Sequence, residues 1–223
     1  MDPKTGKTLW KTPGEAAGYG SLIAGKFGGR LQIVGHDAIS LGGWDVKTGK
    51  RLWKVIPEFT GDFNVPTPLA VNGNLLVTTE NNGTRLFSFD ANGMINPKPI
   101  AVNEDLNPDM SSPIQIGDLI YCVWNEMFCL NSKLNLKTTW FAEEAALSDY
   151  ATLITDSKRI LVIGKGGRLL LLDGKANHFK VISKLNLFSK PNDDNIFSHC
   201  ALVGSRLYLR GESELICVDL SGQ

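Results

Sequence analysis

Asp2-Pro3-Lys4-Thr5-Gly6-Lys7-Thr8-Leu9-Trp10-Lys11 recurs 43 residues on as Asp45-Val46-Lys47-Thr48-Gly49-Lys50-Arg51-Leu52-Trp53-Lys54. A Gly-Lys pair beside threonine is the chemistry of a phosphate loop, where backbone N–H groups and a lysine hold the anion. The GxxxxGK[ST] spacing is absent. The same residues suit a turn instead: Asp accepts backbone N–H bonds, Gly supplies positive φ and Thr a short hydroxyl. Nucleophile chemistry has no better footing. His36, His178 and His199 are scattered, and neither GxSxG nor HExxH occurs. Cys122, Cys129, Cys200 and Cys217 follow neither CxxC nor a zinc spacing. Asn192-Asp193-Asp194-Asn195 lacks the glycine and closing glutamate of a calcium loop and reads as a turn. No catalytic, cofactor-binding or metal-binding residue is assigned.

What positions these residues is a repeat. An acid or amide closes a short apolar strand at Asp2, Asp45, Asp90, Asn131, Asp173 and Asp219, at intervals of 41 to 46 residues. Three short strands precede each marker, and the segment after it, TGKxLW in the clearest copies, makes a fourth. Asn82-Gly83 and Gly166-Gly167 are hairpin signals, Asn-Gly requiring positive φ at both residues. Ala142–Leu147 is the one expected helical turn. Four antiparallel strands per repeat of this length make a propeller blade. The expectation is an all-β propeller of four-stranded blades, about five of them, in a single domain over 1–223. The last repeat supplies three strands and Lys7–Lys11 is a fourth strand without its first three, so the ring is expected to close by pairing the N-terminal strand with the C-terminal blade. The Trp of each motif is read as a packing residue on the outermost strand.

Composition narrows the partners. Lys plus Arg (23) balances Asp plus Glu (23) over 223 residues, so no net field draws the chain to nucleic acid or an anionic membrane. No apolar run reaches membrane-spanning length, and the first residues lack a signal-peptide layout. In a propeller the loops entering the innermost strands rim one mouth. Here they carry Glu58 and Asp62, Asp105 and Asp109, Asp149, then Asp193 and Asp194, beside Phe59, Phe63, Met110, Tyr150 and Phe197. The candidate binding rim is therefore Asp62, Asp109, Asp149, Asp193, Asp194, Phe63, Tyr150 and Phe197, able to hold a cation, a Lys/Arg-rich segment or a polyhydroxylated ligand. The candidate channel lining is Ser21, Thr67, Ser112, Thr152 and His199. In YCVWNEMFCLN a two-residue turn at Asn125-Glu126 places Cys122 opposite Cys129, as small core residues first and disulfide candidates second.

Asp2–Trp10 and Asp45–Trp53, with Asn131–Trp140 as a copy one residue longer, resemble the pyrroloquinoline-quinone-like repeat. It is the blade unit of quinoprotein alcohol dehydrogenases and of bacterial outer-membrane assembly lipoproteins. Asp90-Ala91-Asn92-Gly93 and Asp173-Gly174-Lys175 keep the start of it. The resemblance implies a propeller in the periplasm or cell envelope and two functional readings. One is a non-catalytic scaffold, monomer or dimer, that binds a protein or saccharide at one face. The alternative is a fragment of a quinone- and calcium-dependent alcohol or sugar dehydrogenase. The dehydrogenase branch uses an adjacent cysteine pair, calcium-binding acid and Asn side chains and a Trp beneath the quinone. No Cys-Cys dipeptide occurs here, so no cofactor is expected.

Overall fold

The computed structural model describes residues 1–188 and 195–221. Asn192, Asp193 and Asp194 lie outside them. The chain forms two compact units, Met1–Pro113 with Ser132–Leu136, and Ile114–Asn131 with Lys137–Gln223.

The first unit holds two four-stranded antiparallel sheets. One runs β1 (Ile23–Phe27), β2 (Arg30–His36), β3 (Leu41–Asp45), β4 (Arg51–Val55) in sequence order, and the other β5 (Leu69–Val71), β6 (Asn74–Thr79), β7 (Gly83–Phe87), β8 (Ala101–Asn103). Inner strands read as near-continuous apolar runs because both faces are covered. Phe27, Val34 and Leu41 of the first sheet form one buried cluster with Leu75, Val77 and Phe87 of the second. β3 carries Gly42-Gly43, and the bare backbone makes room for its neighbour strand. A Cβ on Gly42 would meet Arg51 and Trp44, and one on Gly43 would meet the Trp53 indole.

The second unit follows the same plan. It contains β9 (Ile114–Ile116), β10 (Leu119–Trp124), β11 (Glu126–Asn131) and β12 (Lys137–Ala142), then β13 (Ala151–Thr155), β14 (Arg159–Gly164), β15 (Arg168–Asp173) and β16 (Val181–Asn186). A last sheet, β17 (Ala201–Val203), β18 (Arg206–Arg210) and β19 (Leu215–Asp219), has three strands among the described residues. Tyr121, Met127, Val162 and Leu170 share one core cluster, and Ile163, Leu169, Leu207 and Leu209 another. Among the described residues helix is confined to 3₁₀ turns at Ser132–Leu134 and Ala145–Leu147, the latter inside the expected segment. Among the described residues no helix is long and apolar enough to cross a membrane.

The repeated motif is a turn in both copies. Asp45 Oδ1 accepts the Lys47 and Thr48 N–H groups and the Thr48 hydroxyl, and Asp2 Oδ1 does the same for Lys4 and Thr5. Gly6 and Gly49 take φ of 69° and 70°. Hydrogen bonds from Arg30 and Thr48 hold the Asp45 carboxyl well below its usual range, at about 2. The tryptophans also repeat one task, covering the turn region of the following repeat. Trp10 lies over Gly49 and donates its indole N–H to the Val46 carbonyl at 3.0 Å. Trp53 meets Phe89 edge-on at 5.7 Å, and Trp140 meets Phe179 at 6.3 Å.

Three expectations are corrected. Lys7–Lys11 forms no strand, and among the described residues the β17–β19 sheet has no fourth, so the expected closing pair is not found there; Trp10 is engaged on the Asp45 turn of its own unit. Asn82-Gly83 is not a two-residue turn. Thr79 pairs with Gly83 across a three-residue loop, and of Asn82 and Gly83 only Gly83 has positive φ, 69°. Asn125, with φ 58°, stands alone between paired Trp124 and Glu126. That shifts the register by one, so Cys129 pairs with Tyr121 and Cys122 with Phe128. The two thiols lie on opposite faces of the sheet, and all four cysteines are free.

Candidate functional site

In the first unit the loop after β4 folds against the β6–β7 hairpin, and Asp62 is the knot. Its carboxylate accepts the Asn81 side-chain amide at 2.6 Å and that of Asn82 at 2.7 Å. Asn82 also donates to the Phe59 carbonyl and accepts the Phe59 N–H. Burial would raise the Asp62 carboxyl, but hydrogen bonds from Asn81, Thr79 and Asn82 outweigh it and keep the group ionised below the usual range. A rim anion expected to face solvent is thus a buried loop staple. Phe63, next in the chain, stays exposed and stacks edge-on with exposed Tyr19 at 6.1 Å.

Beside Asp62 lies a polar cluster that the sequence did not reveal. His36, the last residue of β2, is buried, and burial together with the Arg85 charge pulls its pKa down to about 4. Asp37 binds the Ile39 and Ser40 N–H groups and pairs with Arg51 at 3.2 Å. Burial brings Arg85 down to about 10, against the opposing pull of Asp62 and Glu58. Arg85 lines an open cleft of about 860 Å³ with Glu58, Phe59, Glu80, Val102 and Glu104 among its other walls. Glu80, Arg85 and Glu104 carried no sequence signal, because only the hairpin geometry brings them to the loop after β4.

Three of the candidate channel residues are hydrogen-bonded in series. Thr67 Oγ1 accepts the Ser21 N–H at 3.3 Å, and Ser112 Oγ accepts the Thr67 N–H at 2.9 Å. Both bonds lie within the first unit and join residues 46 and 45 positions apart. Thr152 exchanges a 3.0 Å hydrogen bond with the Tyr150 hydroxyl, and His199 is exposed ahead of β17.

Three of the expected rim residues do meet in the second unit. Asp149, at φ 87°, forms an ion pair with Lys165 of the β14–β15 hairpin. The Lys165 ammonium stands 5.1 Å above the Phe197 ring, and Tyr150 packs on that ring at 6.1 Å. Tyr150 is buried and Phe197 exposed. Backbone bonds from Lys165 N–H to the Tyr150 carbonyl and from Ile196 N–H to the Lys165 carbonyl hold the group. Asp109 and Met110 are half-exposed in the loop before β9. These arrangements offer fixed aromatic and charged contacts. Among the described residues no three His, Cys, Asp or Glu side chains converge as metal ligands.

No family model matches the chain, and no curated protein matches it in sequence. Solved structures do. BamB from Moraxella catarrhalis superposes with a TM-score of 0.65 at 18% sequence identity, over 95% of this chain and 63% of that one. The chain thus spans less than two thirds of the protein it matches. At that identity the likeness establishes the fold, an all-β propeller fold of antiparallel blades.

Proposed function

We propose that the chain is a non-catalytic propeller scaffold of the pyrroloquinoline-quinone-like repeat type, binding a protein partner through side chains at its loop ends. The observation that carries the reading is the state of the loop aromatics. Tyr19, Phe63 and Phe197 are 76%, 64% and 52% exposed, yet the residues just before Phe63 and Phe197, Asp62 and Ile196, are held by hydrogen bonds. Rigid exposed rings are what interface hot spots are made of, since little side-chain freedom is lost on binding. The likeness to BamB and the resemblance to the assembly-lipoprotein branch support a protein as the partner. No cofactor enters this reading.

The test is site-specific photocrosslinking in cells. A benzophenone amino acid at Phe63 or Phe197 is expected to trap one defined protein, and the same probe at exposed Leu134 is expected to trap none. Equal trapping at all three positions, or none at any, would overturn the reading.

A further inference from the structure

We propose that the open cleft of the first unit binds a short peptide that combines lysine or arginine with apolar side chains. The cleft, about 860 Å³, is bounded by the loop after β4, the β6–β7 hairpin and the outer strand β8. That volume suits a short peptide. Its apolar walls include Ile56, Phe59 and Val102, all exposed to solvent. Its charges are Glu58, Glu80 and Glu104 against Arg85 alone, and Arg85 already faces Asp62 and Glu58. The surplus is negative and no lysine lines the cleft.

The geometry of the occupant follows from the walls. Gly83, Arg85 and Phe87, every second residue of β7, line the cleft together with Val102, which pairs with Arg85, so it lies over one face of the sheet. A peptide laid over that face meets Phe59 and Val102 with its apolar groups and the glutamates with its cations. Charge complementarity of this kind selects partner and register. A polyanion meets the same surplus as repulsion. Phe63 and Phe197 are not among the walls, so this site stands apart from the crosslinking positions above, and either proposal can fail alone.

The probes are fluorescein-labelled Lys-Leu-Lys-Val-Lys-Leu and Glu-Leu-Glu-Val-Glu-Leu, titrated against the whole chain by anisotropy at low and high salt. The lysine peptide is expected to bind, more weakly as salt rises, and the glutamate peptide not to bind. The triple variant Glu58→Gln/Glu80→Gln/Glu104→Gln is expected to weaken binding roughly tenfold with an unchanged thermal melt, and Phe59→Ala to weaken it without altering the salt slope. Carbodiimide coupling should join peptide lysines to those glutamates. Equal binding of both peptides, unchanged affinity in the triple variant, or displacement of the lysine peptide by maltohexaose would overturn the proposal.

Discussion

Gln32 is wholly buried in β2, and its amide links its own sheet to the turn after β7: it accepts the Trp53 indole N–H at 2.7 Å and donates to the Gly93 carbonyl at 2.6 Å. Gln32→Leu keeps the volume but orphans both partners, which costs about 1–3 kcal/mol for buried groups left unpaired. A urea melt showing no loss would refute that account. His36 gives a pH signature. It is buried neutral, with Arg85, Asp37 and Asp62 around it, and its pKa falls from 6.5 to about 4 on folding. The unfolded chain binds the proton more tightly, so stability from this group is complete above pH 6.5 and is lost as pH falls toward 4. Its full size is roughly 3 kcal/mol. Melting temperatures between pH 7.5 and 5, above most carboxylate titration, should decline in the wild type and flatten in His36→Leu. Neither residue was legible in the sequence. Gln32 and His36 sit on strands where polar residues commonly face solvent, and only the adjoining sheet decides that these do not.

At the scale of elements, strands and turns were legible because the signals are local: alternating apolar runs, Asp-x-x-Thr-Gly turns and glycines at strand ends. Register was less so. One residue, Asn125, accommodates positive φ and moves the β10–β11 pairing by one, which flips every side chain relative to its expected partner. The consequence is chemical. Cys122 is buried and its thiol is pushed up to about 12 by burial, and Cys129 is buried on the other face. Under native maleimide labelling Cys217, which is exposed, should react first and Cys122 and Cys129 only on unfolding, with no disulfide formed by mild oxidation. A Cys122–Cys129 crosslink in a peptide digest would contradict the register. The Gly42-Gly43 pair of β3 makes a second prediction. In Gly43→Ala the new methyl overlaps the Trp53 indole, and displacing that ring breaks its bond to Gln32. Overpacking of this kind costs about 1–3 kcal/mol, measurable as a lower urea midpoint.

For the whole molecule the repeat marked out the blades but misjudged the first motif. The Asp2 turn forms as the Asp45 turn does, but without strands on both sides of it the following segment is free to lay Trp10 on its neighbour. The acidic rim was half legible for a similar reason: loop composition shows the carboxylates, whereas hydrogen bonding decides that Asp62 is consumed within the fold and Asp149 is answered by Lys165. The strand edges carry the remaining prediction. Outer strands β4, β12 and β16 each bear Lys or Arg and outer strand β8 is only three residues long, both common protections against edge-to-edge pairing. β19, Leu-Ile-Cys-Val-Asp, bears none and among the described residues pairs on one side only, and Leu215 on it is 71% exposed. With formal charges balanced at neutral pH, long-range repulsion does little to keep copies apart. The chain should associate with rising concentration through this edge, and Leu215→Lys should suppress the association without altering the melt, since that side chain is already in water. Sedimentation velocity across a concentration series separates the outcomes: if the substituted and original chains associate alike, the contact lies elsewhere than β19.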